Sequence, residues 1–249
     1  MRSKLIFLLL LGLAFAEPGT ALEPAAIVQR MMDTMRGDSS YTEMTMRIVR
    51  PRYTREISLR AWEKEQKHTM LFITAPARDR GTIYLMSDKD IWVYDPRIDR
   101  TTRLPSSMMA QSWMGSDFSN DDLVRDTDPV RDFAHRLLRR EVYQQRECYV
   151  IEMIPKPDTP IVWGKVLLWV TTDDFLQLRV ENYDQRGSLV NSMAFDLIIS
   201  TGQRRIPSRV TVTPAGKEHE HTVLTYQTIE FDIPIEDDFF TKATMQRLR

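Results

Sequence analysis

Apolar positions recur in three rhythms along this chain. A solid apolar run at residues 5–16 comes first. A helical rhythm follows at residues 24–36, where Ile27, Val28, Met31, Met32 and Met35 form one stripe. Pro24 suits a first helical turn, and Gly37 offers a stop. From residue 44 the period drops to two, which predicts strands. Met44, Met46 and Ile48 alternate with Thr45, Arg47 and Val49. After a turn at Pro51-Arg52, Ile57, Leu59 and Ala61 alternate with Ser58, Arg60 and Trp62. Met70, Phe72 and Thr74 make a third strand, stopped at Pro76.

Three short strand signals follow at residues 82–86, 91–94 and 100–103, separated by turns at Ser87-Asp88-Lys89-Asp90 and Asp95-Pro96-Arg97. The alternation lapses from residue 105 to 133. That stretch is expected to hold loops or short helices, with Ser106 capping one and Ser119 or Asn120 another. Strand signals resume at residues 136–143 and 148–154, then at 166–170, 176–183, 189–199, 205–212 and 222–231. Asp184-Gln185-Arg186-Gly187 and Thr201-Gly202 read as hairpin turns. About a dozen strands with short connections favour antiparallel neighbours. The fold class is mainly β with a few helices, and residues 22–249 read as one domain.

Arg2 and Lys4 before the apolar run, and small residues after it, read as a secretory signal peptide. The run is too short to span a bilayer. Cleavage is expected after Ala21, with Ala16 as second choice, which gives a signal peptide at residues 1–21. The single cysteine, Cys148, lies far from that cut, so no lipidation is expected there, and it makes no internal disulfide. Stability therefore has to come from a core. The formal charge of −1 leaves no basic excess for nucleic acid. Arg136, Arg139 and Arg140 read as a solvated face.

No nucleophile elbow, zinc motif or phosphate loop occurs. Asp117, Asp121, Asp122, Asp126 and Asp128 crowd one loop but lack an EF-hand pattern, so capping and solvation are expected of them. His219 and His221 share a strand face beside a hairpin tip, with no third histidine near. The chain carries 14 methionines. Met108, Met109, Trp113 and Met114 sit beside the acidic loop. Methionine recurs on surfaces that take varied apolar partners, so a flap over an apolar pocket is expected here.

Several short motifs, in order, resemble the outer-membrane lipoprotein-sorting proteins of the LolA/LolB-like superfamily. They include Pro76 through Gly81, Trp92-x-Tyr94-x-Pro96, Arg103-Leu104-Pro105 and Gly115-Ser116-Asp117-Phe118-Ser119-x-Asp121. Tyr149-x-Ile151-x-x-x-Pro155, Trp169-Val170, Tyr183-x-x-x-Gly187, Phe231-x-x-Pro234 and Asp237-Asp238-Phe239-Phe240-Thr241 continue the match. The resemblance implies an unclosed antiparallel β-barrel of about eleven strands with a helical lid over an apolar cavity. It implies a periplasmic carrier of lipid or lipoprotein acyl chains between inner and outer membrane. It also implies an inner-membrane exporter or permease as a partner and a buried arginine holding the lid.

Arg47 and Arg60 are the strand-borne candidates for that arginine. Candidate lipid-binding residues on the strands are Met44, Met46, Ile57, Leu59, Met70, Phe72, Ile83, Leu85, Trp92 and Tyr94. On the flap they are Met108, Met109, Trp113, Met114 and Phe118. No catalytic residue, metal or cofactor is expected. Two alternatives stand beside the carrier: a lipid-sensing or adaptor module for an inner-membrane transporter, and a hydrolase using the acidic loop.

Overall fold

The computed structural model describes residues 22–65, 67–87, 89–124 and 127–248. The signal-peptide expectation falls on residues 1–21, outside these. The first helix, α1 (Pro24–Met35), has Pro24 in its first turn and buries Ile27, Val28 and Met31. The chain then forms β1 (Ser39–Arg50), β2 (Tyr53–Lys64), β3 (His68–Ala75), β4 (Ile83–Ser87), β5 (Asp90–Asp95) and β6 (Arg100–Arg103). After the flap come β7 (Phe133–Tyr143), β8 (Arg146–Pro155), β9 (Lys165–Thr171), β10 (Gln177–Tyr183), β11 (Leu189–Thr201), β12 (Arg204–Pro214) and β13 (His221–Phe231).

All of these strands join one unclosed antiparallel sheet of thirteen strands, close to the number expected, in the order β6-β5-β4-β3-β2-β1-β13-β12-β11-β10-β9-β8-β7. The first and last strands pair at its centre, from Ser40 opposite Phe231 to Val49 opposite His221. Each half then grows outward by hairpins. The two open edges are β6 and β7, so the segment joining them has to travel from one edge of the sheet to the other. That segment is the flap.

The flap is built from a 3-10 turn at Ser106–Met108, another at Trp113–Gly115, and α2 (Asn120–Val124). Ser106 lies inside the first turn, whose capping position is Pro105 and has no side-chain cap. Ser119 does the expected work at α2. Its Oγ accepts from the Asp122 amide at 3.1 Å and donates to Asp122 Oδ2 at 2.7 Å. The Asn120 side chain donates to the carbonyls of Met108 and Gln111, and the Trp113 amide donates to Phe118 O at 2.7 Å. These bonds satisfy backbone groups that no ladder reaches.

Both faces of the sheet are covered. On the inner face, α1 packs Ile27, Val28 and Met31 against Tyr149, Ile151, Met153, Val166, Leu168 and Val170. In the other half, Met46, Ile48, Ile57, Leu59, Leu71, Ile73, Met86 and Ile91 meet Trp113, with Met109, Met114 and Leu123 of the flap around them. On the outer face, the C-terminal segment with α3 (Lys242–Arg247) lays Phe240 and Met245 on Met70, Ile83, Leu85 and Tyr94. Phe239 stands 5.5 Å from the Trp62 ring and edge-on to Phe240. Cys148 is fully buried among Val150, Leu167, Trp169, Leu176 and Leu178. Burial pushes its thiol up to about 11.

Candidate functional site

An inner cavity of about 450 Å³ opens between the end of α1, the flap and strands β1, β2, β3, β4 and β13. That size falls within the ~300–1,000 Å³ usual for ligand pockets. Its apolar wall is Met44, Leu59, Ala61, Leu71, Met86 and Leu224, roofed by Trp113, Phe118 and Leu123 of the flap. Tyr84 supports the roof from the side, its ring edge-on to Trp113 at 5.8 Å. At the α1 end the lining turns polar, with Arg36, Ser40, Thr42, Glu63, Thr69, Thr127 and Tyr226. Burial raises the Glu63 carboxyl, and Arg36 works against that rise. Burial likewise lowers Arg36 and raises the Tyr226 phenol.

The sequence candidates divide by strand parity. Met44, Leu59, Trp113 and Phe118 line the cavity. Met46, Ile57, Met109 and Met114 belong to the inner cluster around it. Met108 is an exposed flap residue, 37% accessible. Met70, Phe72, Ile83, Leu85, Trp92 and Tyr94 face the other way, under the C-terminal segment. Phe72 and Tyr94 also border an outer-face groove of about 710 Å³ beside Arg60, Arg80 and Leu248. On β3 to β5 the inward set is the alternate one: Leu71, Ile73, Met86 and Ile91. Both sets are apolar, so alternation alone does not choose between them. The polar end of the cavity was missed as well. Its signal lay in the register: Ser40 opposite Glu63, and Glu63 opposite Thr69.

The flap is held by arginines, but not by Arg47 or Arg60. Arg47 is exposed, and Arg60 pairs with Glu43 on the solvent side at 3.3 Å. The latch is Arg50, at the end of β1. Its Nη2 donates to Asp117 Oδ1 at 3.0 Å and to Gly115 O at 2.9 Å, and its Nη1 donates to Asp117 Oδ2 at 3.2 Å. Asp117 also accepts the Thr222 hydroxyl at 2.7 Å. Arg55 adds a bond to Met114 O at 3.1 Å while pairing with Asp79 at 2.7 Å. Met114 and Gly115 have positive φ, 53° and 80°, which turns their carbonyls toward these guanidinium groups.

A second clamp fixes α1. Arg204 donates to the carbonyls of Asp33 and Arg36 at the helix end, and to Asp232 Oδ2 at 3.1 Å. Asp232 in turn accepts the Asp38 amide at 2.9 Å. A cation here complements the helix C-terminus. Gly37 lies against this knot, where an added Cβ would come within 2.5 Å of Asp232 Oδ1.

Three carboxylates of the acidic loop have partners within the protein. Asp117 is engaged by Arg50 and Thr222, the Asp122 carboxylate accepts the Ser119 amide and hydroxyl at the start of α2, and Asp128 accepts the amides of Val130 and Arg131. Asp126 lies outside the described residues. Among the described residues, no group of three or more His, Cys, Asp or Glu side chains could hold a metal ion. No helix among them is long and apolar enough to cross a membrane.

Comparison with known proteins places this architecture. The chain superposes on a DUF1329-family protein from Desulfovibrio piger ATCC 29098 with a TM-score of 0.79 at 25% identity, over 89% of this chain and 97% of that one. For an outer-membrane lipoprotein-sorting protein domain from Vibrio parahaemolyticus the values are 0.76, 22%, 90% and 98%. For a LolA-superfamily protein from Nitrosomonas europaea they are 0.73, 26%, 90% and 100%. The chain belongs to the family whose model, described as "Uncharacterized protein", matches residues 65–247, and its fold is that of LolA-superfamily, outer-membrane lipoprotein-sorting proteins. No curated protein matches the sequence.

Proposed function

We propose that this is an exported, unlipidated periplasmic protein that holds the acyl chain of a lipid or lipoprotein in its inner cavity. In this reading it supports transfer of that chain between the inner and outer membranes and takes or delivers it at an inner-membrane exporter or permease. The observation that carries the reading is the cavity itself: an apolar wall on strands β1 to β4 and β13, roofed by a flap that polar bonds hold at its edge. The leader-like N-terminus supports the compartment.

Transfer energy is sufficient without chemistry. Each buried methylene contributes roughly 0.8 kcal/mol, so a sixteen-carbon chain gains on the order of 10 kcal/mol before ordering costs. The protein acts by binding, not as an enzyme. The engagement of Asp117 by Arg50 and Thr222 supports that, because the residue is already occupied by structural partners.

The test is native mass spectrometry with lipid analysis of the protein purified from its own periplasm, followed by uptake of a fluorescent acyl probe. A bound lipid in stoichiometric amount, or saturable uptake of the probe, is expected. A lipid-free protein that takes up no probe would overturn the reading and favour an adaptor for a membrane transporter.

A further inference from the structure

Two of the sequence motifs contribute nothing to the lining of the inner cavity. Pro76 through Gly81 and Trp92-x-Tyr94-x-Pro96 meet on the outer face instead, where Arg80, Gly81, Tyr94 and Pro96 border the groove of about 710 Å³. Its floor follows the strand register. Arg60 stands opposite Phe72, Phe72 opposite Ile83, and Ile83 opposite Tyr94. Phe72 and Tyr94 thus flank the fully buried Ile83, and Arg60 ends the row. At ~4.8 Å per strand the row runs about 14 Å, the length of about four extended residues.

Arg80 is fixed at the side of this groove. Its amide donates to Pro76 O at 3.0 Å, and the next amide, of Gly81, donates to Ile73 O at 2.9 Å. Gly81 brings the turn against Pro96, where an added Cβ would come within 3.1 Å of Pro96 Cγ. The Arg80 Nε donates to Thr74 O at 2.9 Å. That bond sets the plane of the guanidinium and leaves Nη1 and Nη2 without a hydrogen-bond or ion-pair partner among the described residues. The other charged groups on the groove are engaged. Arg60 pairs with Glu43 at 3.3 Å, and Asp99 accepts the Tyr94 hydroxyl at 2.7 Å. A planar fork with two free donor nitrogens matches a carboxylate at two points.

The face beside the groove already holds a protein segment. Phe240 and Met245 lie on Met70, Ile83, Leu85 and Tyr94, and Leu248 of the same segment borders the groove. The groove continues that interface sideways. It is open to solvent along the outer face, whereas small-ligand sites enclose about 70–90% of the ligand's surface. An extended segment suits an open groove, because its alternate side chains reach the floor while the others stay in water.

We propose that this outer groove docks an extended segment of a partner protein, in which an Asp or Glu pairs with Arg80 and neighbouring apolar side chains lie on Phe72, Tyr94 and Pro96. The site is separate from the acyl cavity and does not depend on it.

The experiment selects random dodecapeptides displayed on phage against the purified protein, then measures the enriched peptides by fluorescence anisotropy. Enriched peptides are expected to carry an Asp or Glu beside aliphatic or aromatic residues. They should shift the amide NMR signals of residues 72–74, 80–81 and 94 in the protein. Arg80→Ala is expected to weaken their binding at least tenfold, as does replacing the peptide's acid by its amide, because a charge-assisted bond is lost. Thr74→Trp, which fills the groove, is the second variant and should abolish binding. Arg136→Ala, on an exposed arginine of β7 in the other half of the sheet, should leave it unchanged. Thermal unfolding checks that each variant is folded. Failure to enrich any peptide, enrichment of peptides without an acid, shifts confined to the inner cavity, or equal binding by wild type and Arg80→Ala would each overturn the docking site and leave the acyl-binding reading untouched.

Discussion

Arg50 and Asp117, 67 residues apart in the chain, meet in a two-point ion pair at 3.0 and 3.2 Å with side chains only 14% and 9% exposed. One residue ends a central strand and the other sits in the flap. Their contact ties the connection between the two sheet edges back to the middle of the sheet. The same two Arg50 nitrogens also donate to the carbonyls of Gly115, Val49 and His221, so the pair is well supported.

Removing one partner strands the other in a mostly buried place. Asp117→Ala or Arg50→Ala should each cost about 3–5 kcal/mol in urea unfolding. The double variant should cost clearly less than the two losses added together. Amides of residues 113–118 should exchange faster in each single variant. Additive losses, with unchanged exchange, would show that the pair does not hold the flap.

Strand parity separates binding from stability. Leu71→Ala opens the cavity wall, so it should alter acyl-probe affinity as well as cost about 2–5 kcal/mol of stability. Phe72→Ala removes a side chain from the outer face, under the C-terminal segment. It should lower stability and leave probe affinity unchanged. Equal effects of the two on affinity would contradict the assigned faces.

Glu63 gives the cavity a pH signature. Burial raises its carboxyl in the folded chain, so the folded state holds that proton more tightly than the unfolded one. The group lowers stability as pH climbs from the ordinary carboxylate value through the raised one. Glu63→Gln should therefore raise the melting temperature at pH 7–8, with the gain shrinking to nothing below about pH 4. Melting curves of both proteins across that range test it. A difference that stays constant with pH would exclude Glu63 as the cause.

Arg204→Ala should loosen α1 without unfolding the sheet. The ion pair with Asp232 is partly exposed and contributes little. The bonds to the helix-end carbonyls matter more, so a loss of about 1 kcal/mol is expected. The amides of α1 should lose hydrogen-exchange protection first. If the strand amides lose protection equally, Arg204 is part of the global core rather than a clamp on one helix.

The chain's local rhythms determined much of this protein by themselves. Pro24 and the stripe through Met31 set α1, because a helix entry and a 3.6-residue period are local properties. The alternation at Met44, Met46 and Ile48 set a strand with one buried face for the same reason. The lapse after residue 105 marked the flap, since nothing there sustains either period.

Tertiary structure decided the rest. In the run Met70-Leu71-Phe72-Ile73 every residue is apolar, so parity carries no information about which face meets the cavity. Docking of Phe240 and Met245 on the outer face supplied the second apolar environment that makes such a run necessary. The latch fell to Arg50 instead of Arg47 or Arg60 because a residue at a strand end can reach sideways to a flap, while mid-strand arginines are fixed by the pleat to the solvent side. Thr42, Glu63 and Thr127 came to line one cavity only through strand register and the path of the flap. Residues far apart in sequence acquire a shared environment when the chain packs, and no local pattern encodes that.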